Sequence, residues 1–346
     1  MKNEVFGMIF RGIKNFFRFV FRIKDPSYVP LTAEEKIQLK RRRRRETTKN
    51  FMQNYQLYLF MLIPFIWLIM FEYIPLYGLQ LAFRNFNPVH GIRGSEFVAW
   101  DNFTRFFQSW QFRRVVTNTI ILSFYQLLAG FPIPILFALS LNALRSVRFR
   151  KISQMLTYMP NFIATVVIVS IMMQIFNPIV GAYGIIYRFF FEGMPPNIWG
   201  DPAAFRHLYV WGNVWQGMGW GSIIYIAALS SVDSELHEAA QIDGASRLKR
   251  CWHIDIPAII PTITIMFILR MGNIMSIGFE RVFLMQNPMN LSTSEVISTY
   301  VYKVSIGAAI PQFSYGAAVG LFNTVINFAM LIFVNQLARK GSTSLW

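Results

Sequence analysis

The chain has 346 residues, 54% of them hydrophobic and 14% charged, with a net charge of +16 and a mean hydropathy of +0.38. So apolar a composition excludes an ordinary soluble domain and predicts an integral membrane protein. The single cysteine, Cys251, excludes an internal disulfide or a thiolate metal cluster, and the histidines at 90, 207, 237 and 253 are too scattered for a histidine-rich site.

In chain order, Ile9, Ile13, Phe16, Phe17 and Val20 share one helical face and Arg11, Lys14, Arg18 and Arg22 the other. This pattern predicts an amphipathic helix lying on the inner leaflet, and its charges rule out a signal peptide. The run KRRRRRETTK, Lys40 to Lys49, reads either as a contact with anionic lipid or as a solvated anchor that enforces topology. A bilayer core needs about 20 apolar residues per helix. Six windows qualify: Leu57–Ala82, Val115–Leu141, Met155–Phe176, Leu208–Ser230, Ala258–Leu284 and Tyr315–Leu337. Their continuous apolar character favours spanning helices over barrel strands, which alternate. The segments between them, Asn87 to Phe103 and Asn177 to Pro202, are rich in Gly, Pro and aromatics and predict short interfacial turns or helices.

Fourteen of the 33 basic residues precede residue 51, and others gather at Arg145 to Lys151, Arg247 to Arg250 and Arg339 to Lys340. By the positive-inside rule this predicts both termini in the cytoplasm, and the basicity becomes a topology signal with no nucleic acid implied. The chain divides into a basic cytoplasmic segment, 1–50, and a transmembrane domain, 51–346, with a cytoplasmic loop at 233–257.

That loop, ELHEAAQIDGASRLKRCWHIDIP from Glu235 to Pro257, is polar yet patterned as an ordered unit. Asp233 or Ser234 suits an N-cap, and Glu235 suits the positive end of the helix dipole. Leu236, Ala239, Ala240 and Asp243 recur at helical spacing as a face of mostly small side chains, with Glu238 beside it, and Gly244 suits a left-handed stop. A second basic turn, Ser246 to His253, follows. Spacing alone leaves open whether this unit packs on its own protein or docks a partner. HEAAQ, His237 to Gln241, lacks the second histidine of a zincin motif. No GxxxxGK[ST] loop occurs, so ATP is not bound in the P-loop manner.

EAAQIDGA, Glu238 to Ala245, followed by Ile254-Asp255-Ile256-Pro257, resembles the E-A-A, G, I-x-[LI]-P signature of the membrane subunits of binding-protein-dependent ABC importers. The similarity extends over residues 50 to 346, where IPLYGLQLAFRNFNP, YMPNFI, VWGNVWQGMGW and NQLARKGSTSLW resemble the oligosaccharide branch, with its LplB-type and maltose-permease-like subunits. Cys251-Trp252 departs from that pattern, where a bulky apolar residue such as phenylalanine is more usual.

The resemblance implies an all-α, six-span type I importer permease fold in the bacterial cytoplasmic membrane, without enzymatic chemistry or a cofactor. It also implies a second homologous permease, two ATP-binding subunits that bind ATP and Mg in trans, an extracytoplasmic solute-binding protein and a sugar substrate. The loop becomes the coupling helix, with Glu238, Ala239, Ala240, Asp243, Gly244 and Ala245 at the ATPase. Carried over by local alignment, Asn161, Thr165, Asn213, Gln216, Gly217, Asn273 and Ser276 fall on the substrate path. Asn161 replaces the tyrosine of the maltose permease, which implies a different sugar or a wider path. Trp215, Trp220 and Tyr225 are candidates for stacking on sugars or for packing, Arg270 for a buried ion pair or for the path, and Glu280 for contact with water or the binding protein. The alternatives are an importer of a non-sugar solute, a channel or receptor subunit, which has no need of that cytoplasmic signature, and a membrane-embedded enzyme, which needs converging ligands.

Overall fold

In the computed structural model, residues 52–339 are described, and they form helices joined by short connections, with one two-residue antiparallel bridge, Arg84–Asn85 against Glu96–Phe97. The expected inner-leaflet helix, the basic run and the last residues of the tail lie outside the described residues. The chain divides into two units at Pro75 and Leu76. In the first, α1 (Tyr55–Leu68) carries Pro64 and continues through a π-helical turn, Ile69–Tyr73.

The second unit contains α2 (Asp101–Gln108), α3 (Trp110–Gly130), α4 (Pro132–Asn142), α5 (Val147–Tyr158), α6 (Thr165–Ile175), α7 (Ala182–Phe190), α8 (Pro202–Leu229), α9 (Ser234–Ile242), α10 (Ile256–Met271), α11 (Phe279–Met285), α12 (Ile297–Ser305) and α13 (Phe313–Arg339). Apolar runs in lipid become helices because only a helix satisfies its own backbone without water. Among the described residues, four segments are long and apolar enough to cross a membrane: Tyr55–Phe83, Trp110–Asn142, Arg247–Met271 and Phe313–Arg339. The pair Val147–Phe162 and Thr165–Ile175 adds a fifth if it is one span, and it is bent by 100°.

Three of the windows read from the sequence differ in detail. Met155–Phe176 is bent, at a 3-10 turn containing Pro160. Ala258–Leu284 is broken: α10 ends at Met271, an irregular stretch runs to Gly278, and α11 begins at Phe279. Asn327 of α13 stabilises this break, accepting the Met275 N–H at 2.8 Å and donating to Ser276 Oγ at 2.9 Å. Leu208–Ser230 runs along α8 to its C-cap, and the 28 residues of that helix reach about 42 Å. Its Arg206, His207, Asn213, Gln216 and glycines lower its hydropathy, and it is not among the segments that qualify by composition.

Helix α8 occupies the middle of the second unit, packed against α3, α4, α5 and α10. Gly219 allows α5 to approach, since a Cβ there would lie 2.2 Å from the Thr157 carbonyl oxygen. One apolar core gathers Phe106, Ile268 and Tyr315, and another gathers Leu122, Val210 and Val282. The buried Glu295 carboxylate, which with Lys303 lies outside the candidate spans, joins Arg114 of α3 to Lys303 of α12, the latter at 3.0 Å. Burial, and then the Arg114 charge, hold the Lys303 ammonium below its usual range.

Candidate functional site

The loop between α8 and α10 is built as a capped unit. Asp233 is its N-cap, its carboxylate accepting the Glu235 N–H at 3.0 Å. At the other end of α9 the Ala245 N–H reaches the Ala240 carbonyl at 2.8 Å and the Gly244 N–H reaches Gln241 at 3.0 Å, with Gly244 at φ +73°. That pair of bonds is a Schellman stop, which requires a left-handed residue and therefore favours glycine. Ser246 then caps a short basic turn, Arg247–Arg250, by accepting the Lys249 N–H, and a π-helical turn leads into α10.

The two sides of this unit differ. On the inner side, His237 Nε2 lies 3.3 Å from Asp255 Oδ1, and Asn142 at the end of α4 donates to the same oxygen at 3.2 Å. Arg250 is within electrostatic reach of this carboxylate, which is only 7% exposed. Asp255 thereby ties α9, α10 and α4 together. On the outer side, Glu238, Ala239 and Asp243 are exposed, as are the apolar Leu236, Ile242, Leu248 and Trp252. Ala240 and Ala245 are half-buried.

A cavity of about 660 Å³ lies between α3, α4, α8 and the α10 break. Asn213, Gly217, Asn273 and Ser276 line it, together with Gln126, Tyr209, Tyr225 and Arg270. Asn213 donates to Gln126 across the wall at 3.4 Å, and the buried Ser123 hydroxyl has no partner. This is a half-open cavity with apolar walls and several convergent polar groups, a character shared with small-molecule sites. The irregular backbone from Gly272 to Gly278 fits the same picture, because non-helical chain at membrane depth is tolerated where it lines a cavity.

Not every residue carried over to the path reaches this cavity. Gln216 points to the other side of α8, donating to the Ile163 carbonyl at 3.0 Å and accepting from the buried Arg281. Asn161 and Thr165 flank the α5–α6 bend and do not line the cavity. Tyr225 is a buried wall residue, whereas Trp215 faces an apolar groove beside α6, and Trp220 packs edge-on against Phe162 at 5.7 Å. Glu280 is exposed. Sequence reasoning missed Asp255, Asn327 and Arg281 as organising groups, although Asp255 lay within the quoted signature.

Residues 130–340 match the family described as binding-protein-dependent transport system inner membrane component. The chain belongs to this family. It is 38% identical over 301 residues to the polygalacturonan/rhamnogalacturonan transport system permease protein YteP of Bacillus subtilis, covering 87% of this chain and 92% of the relative. Protein LplB of the same organism is 36% identical, over 82% of this chain and 88% of the relative. Among solved structures, a bacterial ABC transporter involved in the import of the acidic polysaccharide alginate is similar at a TM-score of 0.77 and 34% identity, covering 85% of this chain and 99% of that one. The protein is thus an all-α, multi-pass inner membrane component with the type I importer permease fold, a transport permease without enzymatic chemistry.

Proposed function

We propose that this chain crosses the bacterial cytoplasmic membrane six times, with both termini inside, and imports an oligosaccharide by alternating access. It pairs with a second homologous permease, two ATP-binding subunits and an extracytoplasmic solute-binding protein. It holds no cofactor of its own, and ATP and Mg sit in the partner ATPases. Closure of those ATPases shifts the permease between two states that bind solute differently. Residues 51–346 form the transport domain, and the basic segment 1–50 lies on the cytoplasmic side against membrane lipid.

The observation that carries this reading is the two-sided loop. Asp255 anchors one side to three helices, while the side bearing Glu238, Ala239, Asp243 and Gly244 is exposed with apolar Leu236 and Ile242 beside it. Such a surface suits the cleft of an ATPase, with Glu238 pairing with a basic residue there and Ala240 and Ala245 letting the two backbones approach. At the cavity, Asn213, Gly217, Asn273 and Ser276 offer amide and hydroxyl groups to sugar hydroxyls, with Asn161, Thr165 and Gln216 along the same path in other states of the cycle. The relatives named for polygalacturonan/rhamnogalacturonan and alginate transport support a saccharide as cargo. Replacing Glu238 by Ala and Gly244 by Val, then measuring sugar uptake and ATPase co-purification, tests the coupling role. Wild-type uptake and assembly in both variants would refute it.

A further inference from the structure

We infer that the cargo carries carboxylates, an oligosaccharide containing uronic acid residues, and that Arg270 is the residue of this chain that binds them. The inference rests on the sugar-importer reading above and adds the charge of the sugar. Arg270 is the last-turn arginine of α10, immediately before the helix breaks. Its side chain is exposed to the 660 Å³ cavity and is the single charged residue in the wall. No aspartate or glutamate lines that cavity, and no acid pairs with Arg270 among the described residues.

A second arginine lies near the wall. Arg281 is buried behind the wall, held by Gln216, with its Nη1 unpartnered. Tyr209, a wall residue, is within electrostatic reach of both arginines. Glu280, the acid in reach of Arg281, does not line the cavity.

A cation inside a membrane span is expensive, and one that faces a cavity marks a substrate or ion path. Arginine presents a planar fork that matches a carboxylate in two parallel hydrogen bonds, whereas sugar hydroxyls are served by the neutral amides of Asn213 and Asn273. The wall therefore combines neutral donors and acceptors for hydroxyls with one fork for an acid group. A neutral oligosaccharide would offer this fork no carboxylate to pair with, so the cavity favours an acidic sugar over a neutral one.

The test uses the complete importer in lipid nanodiscs, with three probes added directly and without the solute-binding protein: tetragalacturonate, its carboxyl-reduced neutral counterpart, and sn-glycerol 3-phosphate. Wild type should bind tetragalacturonate about tenfold or more tightly than the reduced form, as expected when a charged hydrogen bond is gained. R270Q should bind the two alike, and R270K, which keeps the charge, should recover part of the preference. Equal binding of both tetrasaccharides by wild type, binding of neither, or an acidic preference that survives in R270Q overturns the proposal. So does an R270Q complex that loses its second permease, whatever its preference, since Arg270 would then be an inter-subunit ion pair. Arg270-dependent binding of glycerol 3-phosphate, with neither tetrasaccharide bound, overturns the sugar reading and leaves an anion site.

Discussion

The stop at Gly244 gives a sharp test of how the loop is held. Gly244 sits at φ +73°, and a Cβ built there meets nothing within 4 Å. Any effect of adding a side chain is therefore backbone strain, without steric clash. An L-residue in the left-handed region costs about 1–2 kcal/mol. That corresponds to a factor of roughly 5–30 in the population of the closed elbow. The bond that reports it is the Ala245 N–H to the Ala240 carbonyl, 2.8 Å long. Hydrogen exchange of the Ala245 amide in the assembled complex should accelerate by about that factor in G244A, and by more in G244V. G244N should stay closest to wild type, because asparagine tolerates this conformation best after glycine. Equal exchange in wild type and G244V would refute the reasoning, as would G244N exchanging faster than G244V.

Other expectations concern the frame around the loop and cavity. G219A places a methyl 2.2 Å from the Thr157 carbonyl, where backbone must move, so thermal stability of the purified complex should fall by an amount typical of overpacking, about 1–3 kcal/mol. N327L removes the acceptor for the buried Met275 N–H and the donor to Ser276, at a cost of about 1–3 kcal/mol, and limited proteolysis should show earlier cleavage between Gly272 and Gly278. D255A unties His237 and Asn142 from α10; the ATPase should still co-purify, because the exposed face is intact, while uptake per ATP hydrolysed falls. Unchanged coupling in D255A would show that the anchor is dispensable.

The parts of this fold legible in the sequence are those governed by short-range rules. Apolar runs marked the long helices, and the Asp233-Ser234 pair and Gly244 marked the two ends of α9, because a cap depends on side chain and backbone within a few residues of each other. The break after Met271 was not legible in this way. Residues 272–278 are no more polar than many helical stretches, and what stabilises the break is Asn327, 52 residues away from Met275. Gln216 illustrates the same limit at the site: one turn of α8 carries Asn213 and Gly217 to the cavity and Gln216 to Arg281, a division set by the packing of α8 on α11 and on the turn that precedes α6. The lone Arg270 gave a clear signal of cost in the sequence; its surroundings show that it faces the cavity, with no ion pair among the described residues.

The arrangement of the loop and cavity suggests how force reaches the solute. The loop lies between α8 and α10, and both helices line the cavity, α8 through Asn213 and Gly217 and α10 through Arg270. From Ile256 to Arg270 is 14 residues of helix, about 21 Å of axial rise. A displacement of the loop is therefore a displacement of two cavity walls, provided that the helices are stiff. Softening α10 at lipid- or partner-facing positions should break this link without disturbing either end. Ile260 and Ile265 are 47% and 40% exposed, so replacing both by glycine removes little packing while costing roughly 1 kcal/mol each in helix propensity. In the double variant the ATPase should remain bound and ATP hydrolysis continue, while solute imported per ATP drops severalfold. An unchanged ratio would mean that α8 alone, or a partner subunit, carries the motion, and α10 would then be a passive wall that presents Arg270.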